Sequence, residues 1–152
     1  MTKVLFVCLG NICRSPMAEG LFKQAVIEGQ FPWQIDSAAT SSWEAGNPPH
    51  PGTRKVLEAA GVPWQGMVSR KITPEDFKTY DWIIGMDHSN YEDLLAIAPA
   101  GTEHKLYTYL SIVPEAPKDI PDPYYTGDFQ QTYQLIQAGL PLWLEKIARS
   151  AN

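Results

Sequence analysis

With 152 residues, 44% of them hydrophobic, and a net charge of -5, the chain has room for one sizeable core and reads as an acidic globular protein. The charge balance and the absence of any basic stripe exclude a nonspecific nucleic-acid binder. Cys8 and Cys13 share one loop, which excludes a disulfide scaffold, and no apolar run approaches the ~18 residues that a membrane-spanning helix needs.

The apolar run after Lys3 is too short for a secretory signal and stops at Gly10-Asn11. The expected location is the cytoplasm, with export lacking a signal peptide left open. His50, His88 and His104 are scattered, without paired cysteines or helical histidine spacing, so no metal is expected. No Walker-type loop or dinucleotide fingerprint is present, and no cofactor is expected.

In chain order, Val4-Leu5-Phe6-Val7 predicts a buried strand. Cys8 to Ser15 is a tight loop, and Pro16 suits the first turn of the helix that follows, to about Gly29. Trp33 to Ala38 reads as a second strand, and Ala39 to Pro51 as a proline-rich loop. A short helix is expected from Gly52, with Val56, Leu57 and Ala60 on one side and Gly61 as its stop. Val62 to Arg70 carries no clear pattern. Thr73-Pro74-Glu75-Asp76 has the form of a helix N-terminus, with Asp76 in the capping-box position.

Trp82-Ile83-Ile84 predicts a third strand, and Asp87 or Ser89 caps a helix that stops near Pro99. His104 to Leu110 reads as a fourth strand, with Leu106 and Tyr107 as core. Val113 to Gly127, with its four prolines, reads as a long stiff loop. A final helix begins near Gly127 or Asp128, with Phe129, Tyr133, Ile136, Leu140, Trp143, Leu144 and Ile147 as its stripe. Gly139 and Pro141 predict a kink or break near Leu140, with Trp143 and Ile147 still facing the core. Strands alternating with helices imply a single doubly wound α/β domain over residues 1–152, a parallel sheet with helices on both faces. Ligands of such sheets sit beyond the carboxyl ends of the strands, where the Cys8 loop lies.

That loop suits anion chemistry. A helix N-terminus presents free N–H groups and a positive dipole end. Gly10 permits a positive φ, and Asn11 also tolerates it. Such surroundings favour the thiolate of Cys8, the nucleophilic form. Arg14 adds a planar charged fork that matches two phosphate oxygens. Thiolate, N–H cradle and guanidinium together describe phosphoryl transfer through a phosphocysteine. An oxygen leaving group of high basicity departs more easily when protonated, so such a reaction gains from a proton donor. Asp122, before Pro123 in a stiff loop that could hold a carboxyl in place, is a candidate, as are Asp119 and Asp128. Ser15 is a candidate N-cap of the first helix. Cys13 is either a redox partner that captures oxidised Cys8 as a disulfide or a buried loop cysteine.

The string Cys8-Leu9-Gly10-Asn11-Ile12-Cys13-Arg14-Ser15-Pro16 resembles the phosphate-binding loop of the low-molecular-weight protein tyrosine phosphatases. The resemblance extends to Asp36-Ser37-Ala38-Ala39-Thr40, Gly85-Met86-Asp87 and Asp122-Pro123-Tyr124-Tyr125, and so spans most of the chain. It implies the strand order 2-1-3-4 and substrate binding by the loop residues Leu9, Gly10, Asn11, Ile12 and Cys13. It also implies that Asp122 acts as general acid and then base, and that Ser15 supports the departing thiolate. Asn11 and Ser37 resemble the family's bracing network. Met67, Val68 and Ser69 stand where some members carry a histidine of that network. Trp43, Tyr124 and Tyr125 resemble the aromatic pocket walls, which suit a phenyl ring. The two tyrosines are also candidate phosphorylation sites.

The expected partners are phosphotyrosine proteins or aryl phosphates, with phosphate- and vanadate-like anions as inhibitors. No nucleic acid or membrane partner is expected, and the chain is expected to be a monomer or weak homo-oligomer. An arsenate reductase of this fold needs further cysteines, and none follows Cys13. A sugar-transport phosphocarrier has no need of Arg14 or Asp122. A phosphotyrosine-binding module would lack a nucleophile or acid, and both are present.

Overall fold

The computed structural model describes residues 1–150. Its centre is β1 (Lys3–Cys8), in which Val4 to Val7 are fully buried. A strand covered on both faces reads as an unbroken apolar run, which is why this one does. β2 (Gln34–Ala39), β3 (Trp82–Gly85) and β4 (Leu106–Thr108) complete a parallel sheet in the order β2-β1-β3-β4. The 2-1-3-4 order is the expected one.

Side chains alternate along β1. Val4, Phe6 and Cys8 face a core filled by α1 (Arg14–Glu28), α2 (Pro51–Ala59) and α6 (Phe129–Ser150). Leu5 and Val7 face a smaller core with Phe77 of α3 (Pro74–Thr79) and Leu94 of α4 (His88–Ile97). Helices therefore cover both faces. Each fully buried large apolar side chain contributes about 1.5–3 kcal/mol, so β1 anchors both layers. The loops that leave the carboxyl ends of β1, β3 and β4 meet on one side, and that meeting builds the site.

Several local expectations hold. Asp76 reaches back to Thr73 N (2.8 Å), and Pro74 opens α3. Gly61 adopts φ +73 just past the end of α2. Asp87, not Ser89, caps α4 through Asn90 N (2.7 Å).

Others are corrected. Cys13 occupies the N-cap position of α1, so Ser15 lies inside the first turn and is not the cap. Ala60 is exposed rather than on the packed side of α2. β4 is only Leu106–Thr108, because short 3-10 turns at Glu103–Lys105 and Tyr109–Ile112 take up the rest of the predicted strand. The proline loop contains a one-turn helix, α5 (Pro123–Thr126), capped by Asp122.

The expected break near Leu140 is absent, and α6 runs as one helix through Pro141. Proline removes one helical donor, and tertiary contacts hold the helix on either side of it. The Tyr109 hydroxyl donates to Ile136 O (2.5 Å), and Trp143 Nε1 donates to Tyr109 O (2.9 Å). Gly139 lets Tyr109 approach, since a Cβ there would sit 2.6 Å from its ring. Trp143 and Ile147 are fully buried, as the stripe predicts. No helix among the described residues is long and apolar enough to cross a membrane.

Candidate active site

The loop between β1 and α1 is held from outside by its carbonyls. Thr40 N donates to Cys8 O (3.0 Å), and Ser41 donates to Leu9 O through both N (3.2 Å) and Oγ (2.8 Å). Ser69 Oγ donates to Gly10 O (2.8 Å), His50 N to Ile12 O (2.7 Å) and Thr53 Oγ1 to Cys13 O (3.0 Å). In a trans peptide the C=O and the following N–H point in opposite directions. Turning these carbonyls outward therefore turns the next N–H groups inward, which makes an anion nest. Asn11 N already points at Cys8 Sγ (3.3 Å).

The left-handed residue of this turn is Asn11 (φ +56), not Gly10. Asparagine tolerates that region better than most side chains. Gly10 does not adopt a positive φ, and a Cβ there would have ordinary space, 3.5 Å from Glu44 Cγ.

Cys8 is 2% exposed and lies at the base of the nest, 3.0 Å from Ser15 Oγ. Asn11 Nδ2 donates to Ser15 Oγ (2.8 Å) and to Ser37 Oγ (2.9 Å), and Asn11 Oδ1 accepts from Arg70 N (3.2 Å). The loop, Ser15 and Ser37 thus come together. Of the residues at the missing histidine's place, Ser69 braces Gly10, whereas Val68 is exposed.

Arg14 is 2% exposed and is aimed by three oxygens. Nη1 donates to Asp87 Oδ2 (2.6 Å) and Ile120 O (3.0 Å), and Nη2 lies 3.4 Å from Asp122 Oδ2. Its Nε is buried without a partner among the described residues, which leaves a donor for a bound anion. Burial alone would lower the guanidinium pKa; Cys8, Asp87 and Asp122 outweigh it and raise the pKa above its ordinary value. The Cys13 thiol is pushed up to about 12, first by burial, then by Cys8 and Asp122, with Arg14 opposing.

Asp122 caps α5 by accepting from Tyr124 N through Oδ1 (3.0 Å), which leaves Oδ2 toward Arg14. A pocket of ≈ 240 Å³ separates it from the loop, lined by Cys8, Leu9, Gly10, Ile12, Cys13, Trp43, Glu44, Asp122, Tyr124 and Tyr125. The rivals lie elsewhere: Asp119 accepts from His88 N (2.7 Å) and Asp128 from Gln131 N (2.9 Å), both outside the pocket. Trp43 (76% exposed), Tyr124 (57%) and Tyr125 (75%) form a rim rather than buried walls.

Sequence reasoning missed Asp87 as the residue that aims Arg14, Glu19 as the partner of Ser37 (2.5 Å), and Glu44, whose Oε2 is buried beside the pocket without a partner among the described residues. Asp87 and Glu19 carried local signals: Asp87 as a helix cap, and Glu19 one turn after Ser15. Nothing local marks Glu44.

Fold and site describe a doubly wound α/β protein whose cysteine, at the carboxyl end of its central strand, lies in a loop braced over a buried arginine. The family model for low molecular weight phosphotyrosine protein phosphatase matches residues 3–152. The low molecular weight protein-tyrosine-phosphatase YfkJ of Bacillus subtilis is 40% identical over 154 residues, covering 98% of this chain and 97% of the relative. The low molecular weight protein-tyrosine-phosphatase PtpA of Staphylococcus epidermidis is 39% identical over 153 residues, covering 100% and 97%. The crystal structure of YfkJ superposes with a TM-score of 0.96 at 39% identity, covering 100% of this chain and 98% of that one. A protein tyrosine phosphatase of Entamoeba histolytica, solved with Hepes in the active site, superposes with a TM-score of 0.93 at 30% identity over 100% of both chains. The chain belongs to the low-molecular-weight protein tyrosine phosphatase family, whose members are hydrolases.

Proposed function

We propose that the chain hydrolyses phosphotyrosine through a phosphocysteine on Cys8. One observation carries this reading: Cys8 Sγ lies at the focus of the nest, and Arg14, itself buried, reaches toward the carboxylate of Asp122 at the opposite edge of the pocket. A phosphoryl group fits between them, with its oxygens on the loop N–H groups and the Arg14 fork.

In the first step the S–P bond forms as the bond from phosphorus to the phenolic oxygen breaks. Asp122 gives its proton to that oxygen. In the second step Asp122 takes a proton from water, the water oxygen bonds to phosphorus, and the S–P bond breaks to release phosphate. The Ser15 hydroxyl donates to the returning thiolate. General acid catalysis contributes about 10²–10⁴-fold, and the preorganised donors a similar order or more.

Cys13 serves as a redox partner. Peroxide oxidises the Cys8 thiolate to a sulfenic acid, and the Cys13 thiol displaces water to close a disulfide that external thiols reduce. The substrates are phosphotyrosine proteins of the cytoplasm. The test is hydrolysis of an aryl phosphate without added metal by wild type and Cys8→Ser. Activity should vanish in the variant while phosphate still binds. A variant that keeps more than a few per cent of turnover overturns the phosphocysteine.

A further inference from the structure

A polar chain leads from the nucleophile into the body of α1. Ser15 Oγ lies 3.0 Å from Cys8 Sγ, and Asn11 Nδ2 donates to Ser15 Oγ (2.8 Å) and Ser37 Oγ (2.9 Å). Ser37 Oγ donates to Glu19 Oε1 (2.5 Å), and Lys23 Nζ donates to Glu19 Oε2 (2.5 Å). Glu19 is 8% exposed. Ser15, Glu19 and Lys23 follow one another at helical spacing and share a face of α1.

The directions of these hydrogen bonds follow from counting protons. With Oδ1 accepting from Arg70 N (3.2 Å), Asn11 commits both Nδ2 hydrogens to the two serine oxygens. Each serine then has one hydrogen to donate. Ser37 gives its hydrogen to Glu19, which when ionised only accepts. Ser15 gives its hydrogen to Cys8 Sγ, and a thiolate likewise only accepts. The amide of Asn11 has one alternative, the reverse. Oδ1 would then face both hydroxyls and draw both hydrogens, Nδ2 would oppose the Arg70 N–H, and the thiolate would lose its Ser15 donor.

We propose that Glu19 is a positioning residue that holds the observed polarity. By claiming the Ser37 hydrogen, it leaves Ser37 Oγ as an acceptor for Asn11, locks the Asn11 amide and commits the Ser15 hydrogen to the Cys8 thiolate. The backbone N–H of Arg70 is the second lock. Lys23 Nζ occupies the other carboxylate oxygen. The inference rests on the phosphocysteine reading, because only a thiolate nucleophile needs that hydrogen.

The sign of one substitution separates this role from plain electrostatics. In Glu19→Gln, Lys23 claims the amide oxygen, so Nε2 is turned toward Ser37 and donates to it. Ser37 then loses the acceptor of its own hydrogen, and turning that hydrogen to Asn11 Oδ1 reverses the chain. The pH midpoint of Cys8 alkylation by iodoacetamide should rise by about one unit, the scale of one hydrogen bond to a charged group. Below the midpoint the rate should fall about tenfold. If Glu19 acted only through its charge, removing that charge would favour the thiolate and lower the midpoint. Lys23→Met combined with Glu19→Gln frees the amide oxygen to face Ser37, so the midpoint should return toward wild type. In a Ser37→Ala background Glu19→Gln should add no shift.

Peptide mass mapping assigns the label to Cys8, and Cys13, with its thiol near 12, stays protonated through the range. An unchanged or lowered midpoint in Glu19→Gln overturns the proposal. So does an undiminished shift in the Ser37→Ala background, or no recovery in the double variant. Alkylation needs no turnover, so this outcome is separate from the Cys8→Ser test of the phosphatase reading.

Discussion

The loop from Cys8 to Arg14 and the rim formed by Trp43 and α5 face each other across one pocket but are built differently. In the loop, Cys8, Asn11, Arg14 and Ser15 are each at most 3% exposed, and the surrounding chain binds its carbonyls. At the rim, Trp43, Tyr124 and Tyr125 are each more than half exposed, and Asp122 is held by its cap on α5 and a 3.4 Å approach to Arg14. In the proposed reaction the loop meets the phosphate, the same group in every substrate, and it is preorganised. The rim, proposed to meet the rest of the substrate, is exposed and adaptable. Nucleophile substitutions should therefore act on all substrates alike, and rim substitutions should act according to the leaving group.

The largest effect belongs to the loop. Cys8→Ser should reduce turnover by orders of magnitude for every aryl phosphate, because a hydroxyl is far less ionised than a thiol. Equal binding of inorganic phosphate by calorimetry would show that the nest survives.

Next comes the boundary between the two regions. Asp122→Asn keeps the size and loses the proton, which should lower phosphotyrosine turnover by about 10²–10⁴-fold. Activated phenols leave nearly unaided and should be spared. The check is the slope of log rate against leaving-group pKa; equal slopes for the two proteins would remove Asp122 from the first step.

On the rim itself, Trp43→Ala should raise KM for aryl substrates several-fold, about the 1 kcal/mol scale of one aromatic contact, with little change in affinity for free phosphate. Phosphotyrosine peptides should be strongly preferred over phosphoserine peptides, which leave the phosphate short of Cys8. Comparable turnover of the two would mean that the rim does not select.

The smallest basal effect is expected at Cys13. Cys13→Ser should retain much of its activity yet recover less than wild type after peroxide followed by thiol. Identical recovery would leave Cys13 as a buried loop cysteine.

What the sequence determined by itself was local. An unbroken apolar run marks a strand covered on both faces, and the cysteine at its end, the arginine and the helix start follow within one loop. Asp122-Pro123 stood out as the candidate acid in a stiff loop, although the one-turn helix it caps was hidden among the prolines. Tertiary structure decided what depends on distant segments. Asp87 and Ile120 meet Arg14 only because the chain after β3 returns across the carboxyl end of β1. Glu44 reaches the pocket through a loop without periodic pattern. Pro141 sits in an unbroken helix because Tyr109, far off in sequence, holds Ile136 and Trp143 on either side. Gly10 was the natural candidate for the left-handed turn on intrinsic preference, yet it falls on Asn11, whose side chain is held by Ser15, Ser37 and Arg70. Propensity and spacing act over a few residues, whereas the polarity of a buried hydrogen-bond chain is set by groups brought together only when the sheet closes.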